Sequence, residues 1–229
     1  MRKKYGFFIF LACFLAILTC LLVLACSDTI GHPKNMRVYY NDDYSETLHD
    51  GNFLSDAKIT GIDVIKQKIS CGYAIIEMLA KWQNKKITED TLSVQNNGEI
   101  STAMGSGFLN EMARQFPEWK ITRCVNQTNT EMLEKIHISL ANGFPVPVEF
   151  AAKDTSDNWT LHFGLVTAMN LGNNEIVVQN PYGYEETYTA QRFIAATRYE
   201  TYENMEWYFK IGFTMGIFNK NTFYIIADK

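Results

Sequence analysis

From Ser70 to Trp82 the chain runs Ser-Cys-Gly-Tyr-Ala-Ile-Ile-Glu-Met-Leu-Ala-Lys-Trp, with only Glu77 and Lys81 charged. Ser70 is a favourable N-cap, and the residues after it predict a helix too apolar on every side to lie on a surface. Such a helix must be enclosed by other elements. Ala74, Ile75, Ile76, Met78 and Leu79 are the residues expected to be buried, and they would hold the first turn of the helix rigidly.

The enclosing elements can be placed by periodicity. Ile62 to Gln67 predicts a short strand or an extended approach to the helix. Met104, Phe108, Leu109, Met112 and Phe116 recur at helical spacing, so a second helix is expected over 101–116. Trp119 to Val125 alternates as a strand. Thr130 to Asn142 predicts a third helix, ended by Gly143 as a left-handed cap. Phe144 to Phe150, Leu161 to Met169, Glu175 to Gln179 and Thr222 to Ala227 predict strands, with a hairpin at Leu171-Gly172-Asn173-Asn174 and a helix over 189–198. Helices come first and strands cluster later. The class expected is α+β, with N-terminal helices packed on a largely antiparallel sheet.

Ahead of this lies a different kind of segment. Arg2, Lys3 and Lys4 precede an apolar run from Phe7 to Ala25, which ends at Val23-Leu24-Ala25-Cys26 before the polar Ser27-Asp28. A charged start, an apolar middle and a small-residue boundary describe an export signal. Cys26 after Ala25 is the expected lipid attachment site if the signal is removed as in bacterial lipoproteins. If it is kept, the run would span roughly 28 Å, enough for a membrane anchor. Either way the rest of the chain is expected on the extracytoplasmic face of the cell membrane. The division expected is a leader or anchor over 1–26, a polar tether over 27–57 with a short strand at Met36–Tyr40, and one domain over 58–229.

Beyond the leader stand 18 basic and 25 acidic residues, a net charge of −7. With no basic stripe and no aromatic stacking motif, a nucleic-acid partner is not expected. No phosphate-binding glycine loop, dinucleotide fingerprint or metal-ligand spacing occurs, so neither cofactor nor metal is expected.

The exported part keeps two cysteines, Cys71 and Cys124. They could pair as a disulfide, or one could be a reactive thiol and the other an apolar filler. Cys71 falls in the first turn of the apolar helix, where free main-chain N–H groups and the helix dipole favour an anion. A thiol there is expected to ionise more readily, which would make it a nucleophile. Gly72 beside it would leave room for an approaching backbone.

A nucleophile needs a base and the base needs an orienting group. Of four histidines, His32 and His49 lie in the tether, and His137 is expected on a helix surface. His162 begins the apolar strand Phe163-Gly164-Leu165-Val166, as a base on a rigid platform or as a core histidine. Asn180, in Gln179-Asn180-Pro181, lies at the same end of the hairpin as His162, as an orienting group or as part of a plain turn. A regular hairpin would set it opposite Leu165, three residues short of His162, so a bulge or displaced turn is required. The aromatic run Tyr199, Tyr202, Trp207, Tyr208, Phe209 and Phe213 could wall a groove but more often forms core.

These segments together carry a resemblance. Gln67…Ser70-Cys71-Gly72-Tyr73-Ala74, His162-Phe163-Gly164-Leu165-Val166 and Val177-Val178-Gln179-Asn180-Pro181-Tyr182-Gly183 resemble the bacteriocin-processing (double-glycine-leader) peptidase-like proteins of the papain-like superfamily. The resemblance implies a papain-like fold and a thiol-dependent hydrolase acting on a peptide or protein substrate. In it Cys71 would attack, His162 would shuttle the proton, Asn180 would hold the imidazole, and Gln67 would help bind the oxyanion. The family's usual third residue is Asp, and its Gln stands six residues before the Cys rather than four. No ATP motif accompanies the domain, so leader cleavage within an exporter is not the expected task. An acyl or peptidyl transferase using the same residues, and a catalytically silent binding lipoprotein, are the alternatives.

Overall fold

The computed structural model describes residues 56–102, 106–153, 158–199 and 205–229. The expected leader with Cys26, the strand expected at Met36–Tyr40, His32, His49 and Tyr202 lie outside the described residues. Among the described residues no helix is long and apolar enough to cross a membrane.

Helix α1 spans Cys71–Trp82 and is enclosed as its composition requires. Ser70 sits in extended backbone as its N-cap, its Oγ accepting from the Tyr73 N–H at 3.1 Å. Tyr73, Ala74, Ile75, Ile76, Met78, Leu79 and Ala80 are all buried. Lys81 reaches outward, paired with the largely covered Glu77 one turn back at 3.2 Å.

Helix α2, Glu89–Gln95, was not expected; its N-cap is Thr88. Helix α3, Gly107–Gln115, starts later than the periodicity implied. Ser101 is held outside it, its N–H donating to Tyr73 Oη at 3.1 Å and its Oγ to Glu111 Oε2 at 2.8 Å. These bonds satisfy Ser101 locally and compete with helix formation.

A seven-stranded sheet covers the helices. Its strands are β1 (Ala57–Lys58), β2 (Trp119–Cys124), β3 (Val146–Lys153), β4 (Trp159–Asn170), β5 (Glu175–Asn180), β6 (Tyr184–Tyr188) and β7 (Thr222–Asp228). They lie in the order β2-β7-β3-β4-β5-β6, with β1 pairing β4. Every pairing is antiparallel. Strand β6 was not foreseen, and Ile62 to Gln67 forms no strand.

The sheet is apolar on both faces. One face, with Phe163, Leu165, Tyr224 and Ile226, packs against α1 and α3. The other, with Val146, Val148, Phe150, Val166 and Val178, is covered by helix α4 (Asn129–Ala141) and helix α5 (Ala190–Thr197). Helix α4 ends as expected, with Gly143 at φ +88°.

His137 corrects the expectation of a surface position, being 3% exposed. It shares the stripe of Leu133, Ile136 and Leu140 that faces the sheet. The aromatic run divides. Tyr199 is buried with Phe209 and Phe213 packed near it, whereas Trp207 and Tyr208, in helix α6 (Trp207–Thr214), are exposed.

Candidate active site

Cys71, His162 and Gln67 line one cleft of about 320 Å³, together with Ser70, Thr102, Arg123, Glu149, Phe163, Tyr182 and Tyr199. Each reaches the cleft by a different local device.

The loop before Cys71 is pinned by a buried carboxylate. Glu89, at the start of α2, accepts from the N–H groups of Lys68, Ile69 and Ser70 at 2.8, 2.8 and 3.0 Å. Its own N–H donates to Glu77 Oε2 at 2.8 Å. The short span from Gln67 to Cys71 is therefore clamped from within the helical layer. Gln67 is tied from the sheet side, its N–H donating to the Pro181 carbonyl at 2.7 Å. Its side-chain Oε1 is buried with no hydrogen-bond partner among the described residues.

Cys71 is the first residue of α1 and half-buried, and both Cys71 and Cys124 are free thiols, so the disulfide alternative is not realised. Burial pushes the Cys71 thiol above its ordinary pKa. The main-chain N–H groups of Phe163, Gly72 and Cys71 itself pull the other way, and nearby Glu149 adds to the rise. This corrects the expectation of an acidified thiol: the helix terminus acts as expected, but desolvation outweighs it. Gly72 also has a different reason to be glycine. A Cβ there would lie 2.5 Å from Thr102 Oγ1, so close packing against Thr102 excludes a side chain.

Strand β4 presents His162, and β5 brings Asn180 to it through a bulge. The register runs regularly from Asn170↔Glu175 to Ala168↔Val177, then shifts by one at Thr167, giving Val166↔Val178 and Leu165↔Gln179. The extra residue brings Asn180 level with Gly164 instead of Leu165. Because side chains alternate along a strand, that one step moves Asn180 to the face that carries His162. The bulge is held in place by Ile59, whose N–H donates to the Thr167 carbonyl at 2.8 Å, and by Gln179, whose Nε2 donates to Thr167 Oγ1 at 3.1 Å.

His162 Nε2 and Asn180 Oδ1 are 3.0 Å apart, both side chains buried. The roles follow from Asn180's other bonds. Its Oδ1 also accepts from the Tyr182 N–H at 3.0 Å, and its Nδ2 donates to Glu186 Oε2 at 3.4 Å. An amide oxygen only accepts, so Nε2 carries the proton and Nδ1 keeps its lone pair. The imidazole lies under Tyr182, ring centroids 4.1 Å apart and planes within 22°, with Phe150 on another side at 5.6 Å. Burial drives its pKa down to about 4, against the opposing effect of the Asn180 bond. Burial thus disfavours the charged form of both groups. No hydrogen bond joins Cys71 to His162 among the described residues; the groups that lower the thiol pKa are main-chain N–H groups.

Five contributors escaped the sequence argument: Glu89 and Glu186, which act as described, and the polar group of Arg123, Glu149 and Tyr224, of which Arg123 and Glu149 line the cleft. Tyr224 Oη donates to Glu149 Oε1 at 2.6 Å, and Arg123 lies 3.6 Å from the same oxygen. Desolvation raises the Glu149 pKa. Thr88 followed by Glu89 and Asp90 was a readable helix start; nothing in the sequence marked the others.

Residues 59–207 match the Peptidase_C39 like family, and the chain belongs to that family. The class so defined is that of the cysteine peptidases. Among solved structures the chain is similar to a double-glycine-motif protease from an AMS/PCAT transporter, solved in complex with its leader peptide. The identity is 11%, covering 75% of this chain and 98% of that one, with a TM-score of 0.46. A search of curated proteins found no match.

Proposed function

We propose that the protein is a thiol-dependent hydrolase that cleaves peptide or amide bonds at the extracytoplasmic face of the membrane, held there by a lipid on Cys26 or by an uncleaved anchor. The observation that carries the chemistry is the buried His162–Asn180 bond in a cleft shared with Cys71, in a chain of the Peptidase_C39 like family.

With a substrate carbonyl over the first turn of α1, His162 Nδ1 takes the Cys71 proton as the sulfur attacks the carbonyl carbon. Main-chain N–H groups at the helix start and the Gln67 Nε2–H group receive the developing oxyanion. The C–N bond breaks as the imidazolium returns its proton to the leaving amine, and a thioester remains on Cys71. Water, deprotonated by the same imidazole, releases the acid. Burial that disfavours both charged forms suits this sequence, because proton transfer then coincides with attack. Asn180 keeps the ring in the required tautomer.

The test is incubation with a mixed peptide library in H₂¹⁸O, read by mass spectrometry. The expected result is new C-termini carrying one ¹⁸O with wild-type protein, and none with Cys71→Ala or His162→Ala. Products joined to an added amine, without ¹⁸O, would instead identify a transferase. Cleavage that survives Cys71→Ala would refute the reading, and absence of any product with wild type would favour the silent binding lipoprotein.

A further inference from the structure

We propose that Glu186 is a positioning residue for His162, acting through Asn180, and that Asn180 and Glu186 form a matched pair in which a carboxylate behind requires an amide in front. The inference rests on the reading of His162 as the base.

An asparagine beside a histidine can present either its oxygen or its NH₂, and only the oxygen selects the Nε2–H tautomer. Two contacts decide the matter. The Tyr182 N–H at 3.0 Å needs an acceptor at Oδ1, and the Glu186 carboxylate at 3.4 Å needs a donor at Nδ2. The first is supplied by the turn itself. The second comes from β6, where Glu186 pairs with Val178 in register and so projects on the face that carries Asn180. Glu186 is held in turn by Arg192 of α5, at 3.6 Å. The relay therefore runs from α5 through β6 and β5 to the imidazole on β4.

The arrangement also accounts for the amide at position 180. An aspartate there would set two carboxylates about 3.4 Å apart, and one of them would take up a proton rather than share the site with a like charge. A carboxylate at 180 becomes compatible only once position 186 is neutral.

The test compares wild type with Glu186→Leu, Asn180→Asp and the double variant Asn180→Asp/Glu186→Gln in the full-length chain. Peptide turnover and the imidazole ¹⁵N shifts of His162 are measured on each. Expected for Glu186→Leu is a kcat reduced about tenfold with KM little changed, and a mixture of His162 tautomers where wild type shows Nε2–H alone. Asn180→Asp should lose activity to a similar degree, and the double variant should recover to within about threefold of wild type. A single Nε2–H tautomer in Glu186→Leu, or a double variant no better than Asn180→Asp, would overturn the proposal. Cys71→Ala and His162→Ala run alongside: retained turnover in these breaks the catalytic reading, while the ¹⁵N spectra still decide the positioning role.

Discussion

Acidification from pH 7.5 to 4.5 should destabilise the protein through His162 in particular. In the folded chain the ring is 3% exposed and its pKa falls to about 4, against an ordinary value of 6.5. The folded state therefore prefers the neutral ring, and the unfolded chain binds the proton first. The contribution is fully present above pH 6.5 and is lost as pH falls through the window from 6.5 to 4. Linkage converts the 2.5-unit difference into about 2.5 kcal/mol lost by pH 4.5 and about 3 kcal/mol in full. Carboxylates titrate in the same range. Glu149, with its raised pKa, works in the opposite direction, and Glu111, with its lowered pKa, works in the same direction as His162. Comparison with His162→Phe separates them, since phenylalanine keeps the stacking on Tyr182 and cannot titrate. Denaturant unfolding of both proteins, followed by tryptophan fluorescence, gives the difference at each pH. A stability difference that drifts by about 2.5 kcal/mol in favour of His162→Phe on acidification is expected. Parallel curves would refute the reasoning.

Three further outcomes are expected. Glu149→Gln removes a charge that raises the Cys71 pKa, so Cys71 should alkylate faster with iodoacetamide near neutral pH, followed at that residue by mass spectrometry. Gly164→Ala would set a Cβ 2.7 Å from Phe150 Cε1 and Val178 Cγ1, and overpacking there should cost about 1–3 kcal/mol, measured as a lower Tm. Glu89→Ala strips three main-chain N–H groups of their acceptor in front of Cys71, so a loss of about 3 kcal/mol is expected by denaturant unfolding.

How legible these features were depended on whether the information was local. Helix α1 and its Ser70 cap could be read because composition and cap chemistry lie within thirteen consecutive residues. The β4–β5 hairpin was visible in the same way, since Gly172-Asn173 marks a turn between two alternating runs. Its register was not, because the bulge at Thr167 depends on Ile59 and Gln179, which meet it only in the fold. That single inserted residue decides whether Asn180 faces His162. His137 was misplaced although its stripe with Leu133, Ile136 and Leu140 was present in the sequence; its residue type outweighed its spacing. The acidified thiol failed for a different reason. The helix terminus is a local feature, whereas burial and the Glu149 charge are supplied by β3 and β4. Glu186 sits in Tyr-Glu-Glu-Thr-Tyr, an edge strand with too little apolar content to announce itself.

The measurement that tests the account most directly is the pH dependence of kcat/KM for a cleaved peptide, in wild type and in His162→Ala. A thiol–imidazole pair whose charged forms burial disfavours predicts a broad plateau, falling on the acid side near pH 4 as His162 protonates, and on the alkaline side only above the ordinary thiol range. His162→Ala should lose at least about 10³-fold across the plateau. Turnover that is indifferent to His162, or an acid limb centred near pH 6.5, would contradict it.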